Sequence, residues 1–269
     1  MSTFFGPKGA DEDVILIIDA ANPNCISTSG ATTCKEIVNN MSGAYNNNPT
    51  WHEDGYWDFD GVDDSIIFSN TDDHPNYQDR FEEVSKISVA AWLSADDYTP
   101  SLNKAFSNGS DWNGTSGYPN GGTSIGFHNG HYGDFYSELS PSSTYPNNGR
   151  QSMSGGSFTD GEWSFICYTI DLTTPVAKRY VFNNTMGTGS SGLIGTSTST
   201  TNMGPGTWTT TKPAYDKLGV GAGLVGGNYW FAGKIAMIKF WAKTLSEEEV
   251  KNEFRAHKHR DVFNINFDI

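Results

Sequence analysis

The stretch FDGVDDSIIF (residues 59–68) sets three aspartates and a glycine ahead of an apolar run. Three chemistries compete for it. A calcium loop of the EF-hand kind wants oxygen ligands at positions 1, 3 and 5, glycine at 6 and glutamate at 12. With Gly61 at position 6, Asp60 and Asp58 fall correctly, but Tyr56 takes position 1 and Ile67 position 12. That register fails. A glycosidase needs a second carboxylate across a cleft, and no strand-like run carries the E-x-D-x-E-like row of acids found in sandwich-type glucanases; Glu162 and Asp171 bound one strand at its opposite ends. A hairpin corner is what remains: Asp60-Gly61 takes the turn, and Phe59 and Ile66 or Ile67 face inward. Asp58, Asp60, Asp63 and Asp64 are still the densest oxygen cluster, and they are the candidate ligands for a structural calcium ion. Strand alternation sends Asp58 and Asp60 to one side.

Outward from this corner, strand signals dominate. VILIID (14–19), SIIFS (65–69), KISVAAWLSA (86–95), EWSFICYTID (162–171) and VAKRYVF (176–182) are β-branched and aromatic runs bounded by turn residues. In FAGKIAMIKFWAKTL (231–245) the two alternating sets, Ile235/Met237/Trp241 and Ala236/Ile238/Phe240, are both apolar, which predicts a central strand covered on both faces. LSEEEVKNEF predicts one short helix ending near Ala256: Ser246 and Glu249 form a capping box, and Leu245 and Val250 a hydrophobic staple. Residues 107–157 and 185–211, dense in Gly, Ser, Thr and Asn, read as loops. The composition agrees with an all-β chain of many turns, with 13% aromatic residues and 30 glycines in 269 residues.

Charge and cysteine usage exclude several partners. A net charge of -14 repels phosphate backbones, so no nucleic acid is expected. No apolar stretch approaches bilayer length, so no membrane is expected either. MSTFFGPKGADEDV lacks the apolar core of a secretory signal. Cys167 lies in a strand and reads as a core thiol. Cys25 and Cys34 bracket the polar loop CISTSGATTC; the odd total favours free thiols, with a Cys25–Cys34 bridge as the alternative.

Several motifs dissolve in context. GTGSSG (187–192) and GAGLVG (221–226) open no helix, as a dinucleotide site requires. GTSIG (122–126) leads into a strand and turn, where a nucleophile elbow needs a helix. No HExxH is present, and His128 and His131 flank the hairpin-forming Asn129-Gly130.

The ordered set DVILIIDAANPN, SGATTC, YWDFDGVDDSIIF, ISVAAWLSA, GEWSFICYTID and FAGKIAMIKFWAKTLSEEEV resembles the concanavalin A-like lectin/glucanase superfamily, in its laminin-G-like, pentraxin-like branch. The resemblance implies a two-sheet antiparallel jelly-roll sandwich with one short C-terminal helix, over residues 13–256, between an N-terminal arm (1–12) and a C-terminal tail (257–269). The flanks FFGPKG and NEFRAHKHRDVF are similar to those of tailed-phage virion versions. That implies a non-enzymatic virion structural protein, a decoration, fibre or appendage subunit made in the host cytoplasm, forming homo-oligomers and meeting other virion subunits through its arms. Phe4, Phe5, Phe263, Ile265 and Phe267 are the arm residues expected to dock. Where the family commonly has Trp near the end of the first loop, Cys34 stands, which keeps the bridge to Cys25 open.

Many members bind calcium and some bind sugars, so glycan or host-surface adhesion is the expected second role. Its candidate residues are Trp112, Tyr118, His128, His131, Tyr132 and Tyr145, aromatic platforms among amide-rich loops. The alternative is a glycan-degrading depolymerase or glucanase on the same fold, for which no catalytic residue can be named.

Overall fold

The computed structural model describes residues 13–26, 30–69, 84–97, 103–108, 122–127, 133–138, 148–152, 158–171, 173–174, 176–184, 194–199, 217–222 and 230–265. These form strands β1 (Val14–Asp19), β2 (Thr33–Lys35), β3 (Ser42–Asn46), β4 (Thr50–His52), β5 (Tyr56–Asp60), β6 (Ser65–Ser69), β7 (Lys86–Ala95) and β8 (Asn103–Asn108). They continue through β9 (Gly122–Phe127), β10 (Gly133–Glu138), β11 (Asn148–Ser152), β12 (Ser164–Asp171), β13 (Val176–Phe182), β14 (Ile194–Ser199), β15 (Lys217–Val220) and β16 (Ala232–Trp241). Helix α1 (Glu247–His257) and a 3-10 turn (Asp261–Phe263) follow.

Two antiparallel sheets form a sandwich. The first runs β14-β13-β12-β7-β16-β5-β4, with β1 beside β16; the second runs β11-β10-β9-β8-β15-β6-β3-β2. β16 is long enough to pair with β5 over its first half and β1 over its second, along one edge. Between the sheets lies one aliphatic and aromatic core drawn from both, including Ile66, Phe68, Phe106, Ile166, Ile238 and Phe240. Phe106 and Phe240 meet across it at 4.8 Å.

The outer face of the first sheet is also buried. Trp92, Phe165, Cys167, Phe182, Met237 and Trp241 form a second apolar layer under α1. Double coverage of β16 matches its two apolar sets, but the sets themselves are divided otherwise than strict alternation predicts. A bulge between Ile235 and Met237, where Ala236 has no partner on β7, switches the faces. Ile235 therefore joins Ile238 and Phe240 inside, while Ala236, Met237 and Trp241 face the helix. Just before the bulge, Gly233 sits at φ +132°, and a Cβ there would lie 2.3 Å from the Ser94 carbonyl oxygen. Only glycine permits that approach.

The helix forms as its local signals dictate. Ser246 Oγ accepts from Glu249 N–H at 3.3 Å, and Glu249 Oε2 accepts from Ser246 N–H at 2.7 Å. Leu245 and Val250 are both buried as the staple requires. α1 runs one residue past Ala256, and the chain then turns back onto the domain. Phe263 stacks on Trp92 with centroids 4.1 Å apart and planes 8° from parallel. Ile265 packs against the same layer. The C-terminal segment, as far as it is described, thus docks on the sandwich itself; Phe4, Phe5 and Phe267 lie outside the described residues.

The glycine- and serine-rich segments hold more strand than their composition predicts. β9, β10 and β11 form a meander and β14 pairs with β13. They occupy the ends of the two sheets, where backbone pairing rather than apolar patterning organises the chain. GTSIG lies wholly in β9, which excludes a nucleophile elbow there.

Candidate functional site

The FDGVDD corner folds as a self-bonded turn. Gly61 takes φ +75°, a left-handed conformation, and its missing side chain makes room for Ala232. Asp60 Oδ1 accepts from the N–H groups of Val62 (2.8 Å), Asp63 (3.2 Å) and Asp64 (3.3 Å). These bonds, that to Val62 first, hold the Asp60 carboxyl below its ordinary range. Asp64 Oδ2 accepts in return from Asp60 N–H at 3.1 Å. Burial pushes the Asp64 carboxyl up, with the charges of Asp60, Asp63 and Asp58 adding to it. Phe59 and Ile66 point into the core, and Ile67 is half-buried.

Asp60, Asp63 and Asp64 each offer an oxygen within 4.8 Å of the others, and these three could hold a cation. Asp58 does not belong with them. It stands two residues back on β5, opposite Lys234 of β16 and 3.9 Å from His52 Nε2. Because the turn bonds to its own backbone, chelation of divalent cations is expected to leave the melting temperature unchanged. A rise of several degrees on adding calcium to the chelated protein would instead show a bound ion, for which Asp60, Asp63 and Asp64 are the candidate ligands.

Asp58 belongs to a different surface, one that sequence reading missed. On the outer face at the β4–β5 end of the first sheet, His52 and Tyr56 are cross-strand partners, stacked at 4.4 Å and 15°. Trp163 meets Tyr56 edge-on at 5.7 Å, and Lys234 Nζ lies 5.7 Å from the Tyr56 ring centroid. His52, Tyr56, Asp58 and Lys234 are all partly exposed. Burial pushes the Asp58 carboxyl up, Lys234 and His52 oppose it, and Asp96 adds to it. Burial likewise raises the Tyr56 hydroxyl, aided by Asp54 and Asp58. An aromatic platform beside a carboxylate, a hydroxyl and an ammonium group is what a sugar ring and its hydroxyls require. The alternation in YWDFD could have placed Tyr56 and Asp58 on one face, but His52, Trp163 and Lys234 come from three other parts of the chain.

Trp112, Tyr118, His128, His131, Tyr132 and Tyr145 lie outside the described residues. Cys25 and Cys34 are free, buried thiols in the intersheet core. Cys167 is a buried thiol in the outer layer. No described helix is long and apolar enough to cross a membrane.

Other described carboxylates with close partners are structurally engaged. Glu36 accepts four N–H bonds within the core. Asp171 closes a turn on Thr173 and meets Lys86 at 3.3 Å. Asp19 pairs with Arg260 at 2.7 Å and Glu253 with Lys239 at 3.0 Å.

Residues 60–251 match a family model described as the concanavalin A-like lectin/glucanases superfamily. No curated protein matches the chain. Among solved structures, the fold is similar to that of Trypanosoma rangeli sialidase, at a TM-score of 0.56 and 10% identity, covering 93% of this chain and 33% of that one. It is also similar to the receptor binding domain of botulinum neurotoxin C/D mosaic serotype, at a TM-score of 0.54 and 14% identity, covering 92% of this chain and 52% of that one. A third is domain 4 of AbnA, an extracellular arabinanase from Geobacillus stearothermophilus, in complex with arabinotriose. There the TM-score is 0.51 and the identity 13%, with 89% of this chain and 97% of that one covered. The chain thus spans about a third of the sialidase, half of the toxin domain and nearly all of the arabinanase domain. At such identities the likeness is one of fold.

Proposed function

Because the chain belongs to the concanavalin A-like lectin/glucanase superfamily, we propose that it is a non-enzymatic, glycan-binding structural protein of a tailed-phage virion. The observation that carries glycan binding is the platform of His52, Tyr56, Asp58 and Lys234, half-exposed on the rigid face of a sheet. A structure with bound arabinotriose on a similar fold supports the ligand class. A non-enzymatic role is in keeping with five of the described carboxylates, since Glu36, Asp60, Asp171, Asp19 and Glu253 are each committed to turns, buried backbone or ion pairs. The virion setting rests on the flanking segments FFGPKG and RAHKHR.

The test is a glycan array probed with the full chain. Binding is expected, and Tyr56→Ala should weaken it about tenfold or more, the cost of losing one stacking platform. Trp112→Ala, run beside it, examines the loop aromatics. No binding to any surface glycan overturns the glycan reading, and binding unchanged in Tyr56→Ala removes the platform from it. Release of reducing ends from capsular or cell-wall polysaccharide overturns the non-enzymatic one. Labelling of intact particles with an antibody to the chain tests the virion setting.

A further inference from the structure

We infer that Cys25 and Cys34 are a redox-closable pair, which a low-molecular-weight disulfide converts into a staple across the first polar loop. The inference does not depend on glycan binding or on a virion setting.

The two segments are already laced together. The carbonyl of Cys25 accepts from Lys35 N–H at 2.8 Å, and Cys25 N–H donates to the Asn22 carbonyl at 2.9 Å. Cys34 is at the centre of β2, which pairs antiparallel with β3. A backbone bond from residue 25 to residue 35 holds the two segments at the spacing of paired strands, about 5 Å. A disulfide spans a Cα separation of roughly 4.4–6.8 Å, and the bonded residue, Lys35, is the immediate neighbour of Cys34. Both side chains are buried in the same intersheet core, Cys25 at 3% and Cys34 at 1% exposure. The neighbouring Cys25 side chain, then burial, pushes the Cys34 thiol well above its usual range.

The third cysteine is excluded by topology. Cys167 sits in the layer beneath α1, on the opposite face of the first sheet. Asn24, Gly30, Thr32 and Thr33, beside the two cysteines in sequence, are exposed. The step balances without further reagents. One protein thiol gives up its proton and attacks the external disulfide, releasing one small thiol and leaving a mixed disulfide on the protein. The second protein thiolate attacks the protein sulfur of that bond and releases the other small thiol. Two protein thiols are oxidised and one external disulfide is reduced to two thiols.

Oxidised glutathione incubated with the natively folded full chain, until the thiol count is constant, tests the pair. Thiols titrated afterwards in denaturant are expected to fall from three to one, and non-reducing peptide mapping should join Cys25 to Cys34. The melting temperature should rise by several degrees, because a closed loop of about ten residues restricts the unfolded chain. Three remaining thiols, glutathione retained on Cys25 or Cys34, or any bridge to Cys167 would each overturn the assignment.

Discussion

Glu36→Gln is expected to destabilise the protein by about 3 kcal/mol, and Glu36→Ala by about 4 kcal/mol or more, among the largest effects of any single polar substitution here. Glu36 is fully buried just after β2. Its Oε1 accepts from the N–H groups of Ile17 and Val38, both at 2.8 Å. Its Oε2 accepts from Asn39 N–H at 2.6 Å and Asn39 Nδ2 at 3.1 Å. The carboxylate therefore does for β1 what a neighbouring strand would do, taking up the Ile17 N–H on the edge away from β16. Asn39 Nδ2 and Ile37 N–H bond to the Ile15 and Ile17 carbonyls on the same edge, at 2.9 Å each. Glutamine turns one acceptor into a donor facing other donors, and alanine leaves every N–H that Glu36 held unmet. A domain of this size should lose roughly 6–12 °C of melting temperature in the glutamine variant. A change of less than 2 °C, by calorimetry at neutral pH, would show that the contacts are dispensable.

Acid is expected to weaken the fold through His257, the last residue of α1. Burial first, then the charges of Arg260 and Lys239, hold its imidazole down to about 4, with Asp19 opposing them. Arg260 Nη2 lies 3.2 Å from His257 Nδ1 and 2.7 Å from Asp19 Oδ2, so the ring accepts there and keeps its proton on Nε2. Glu253 is 3.9 Å from that nitrogen. The folded state resists protonation and the unfolded chain does not. Stability contributed by neutral His257 is therefore complete above pH 6.5, and it falls by about 1.4 kcal/mol for each unit down to about 4. The total is roughly 3 kcal/mol. His257→Gln, which retains an acceptor for Arg260, should flatten the pH profile of stability over that interval relative to the parent. Parallel profiles in denaturant titrations at pH 7 and pH 4 would remove His257 from the account.

What could be seen beforehand was whatever local chemistry decides. The capping box, the staple and the Asp60-Gly61 turn are short-range devices, and each formed where its residues predicted. Strands with apolar patterning, such as Val14–Asp19 and Lys86–Ala95, were equally plain. Glu36 was not, because a charged residue in a polar stretch reads as solvated until β1 is laid beside it. The bulge at Ala236 was hidden for a related reason: both faces of β16 are apolar, so hydrophobicity could not report a change of face. The Tyr56 platform needs β4, β5, β16 and Trp163 together, and no window of sequence contains them. β9, β10, β11 and β14 carry little apolar pattern, and only their pairing reveals them.

The pairing of β1 with β16 has a kinetic consequence. Asp19 and Arg260, bonded at 2.7 Å, are 241 residues apart in sequence. Closing so long a stretch costs chain entropy before any contact repays it, and sandwiches rich in such contacts fold slowly. Until β16 arrives, β1 has no strand partner in its own sheet, and an apolar segment with open N–H and C=O groups invites pairing with other chains. The Glu36 clamp blunts one edge of β1 early, because Ile17 and Glu36 are only 19 residues apart. It leaves the other edge waiting for β16, so during synthesis that edge of β1 stays open to pairing with other chains until the strand arrives.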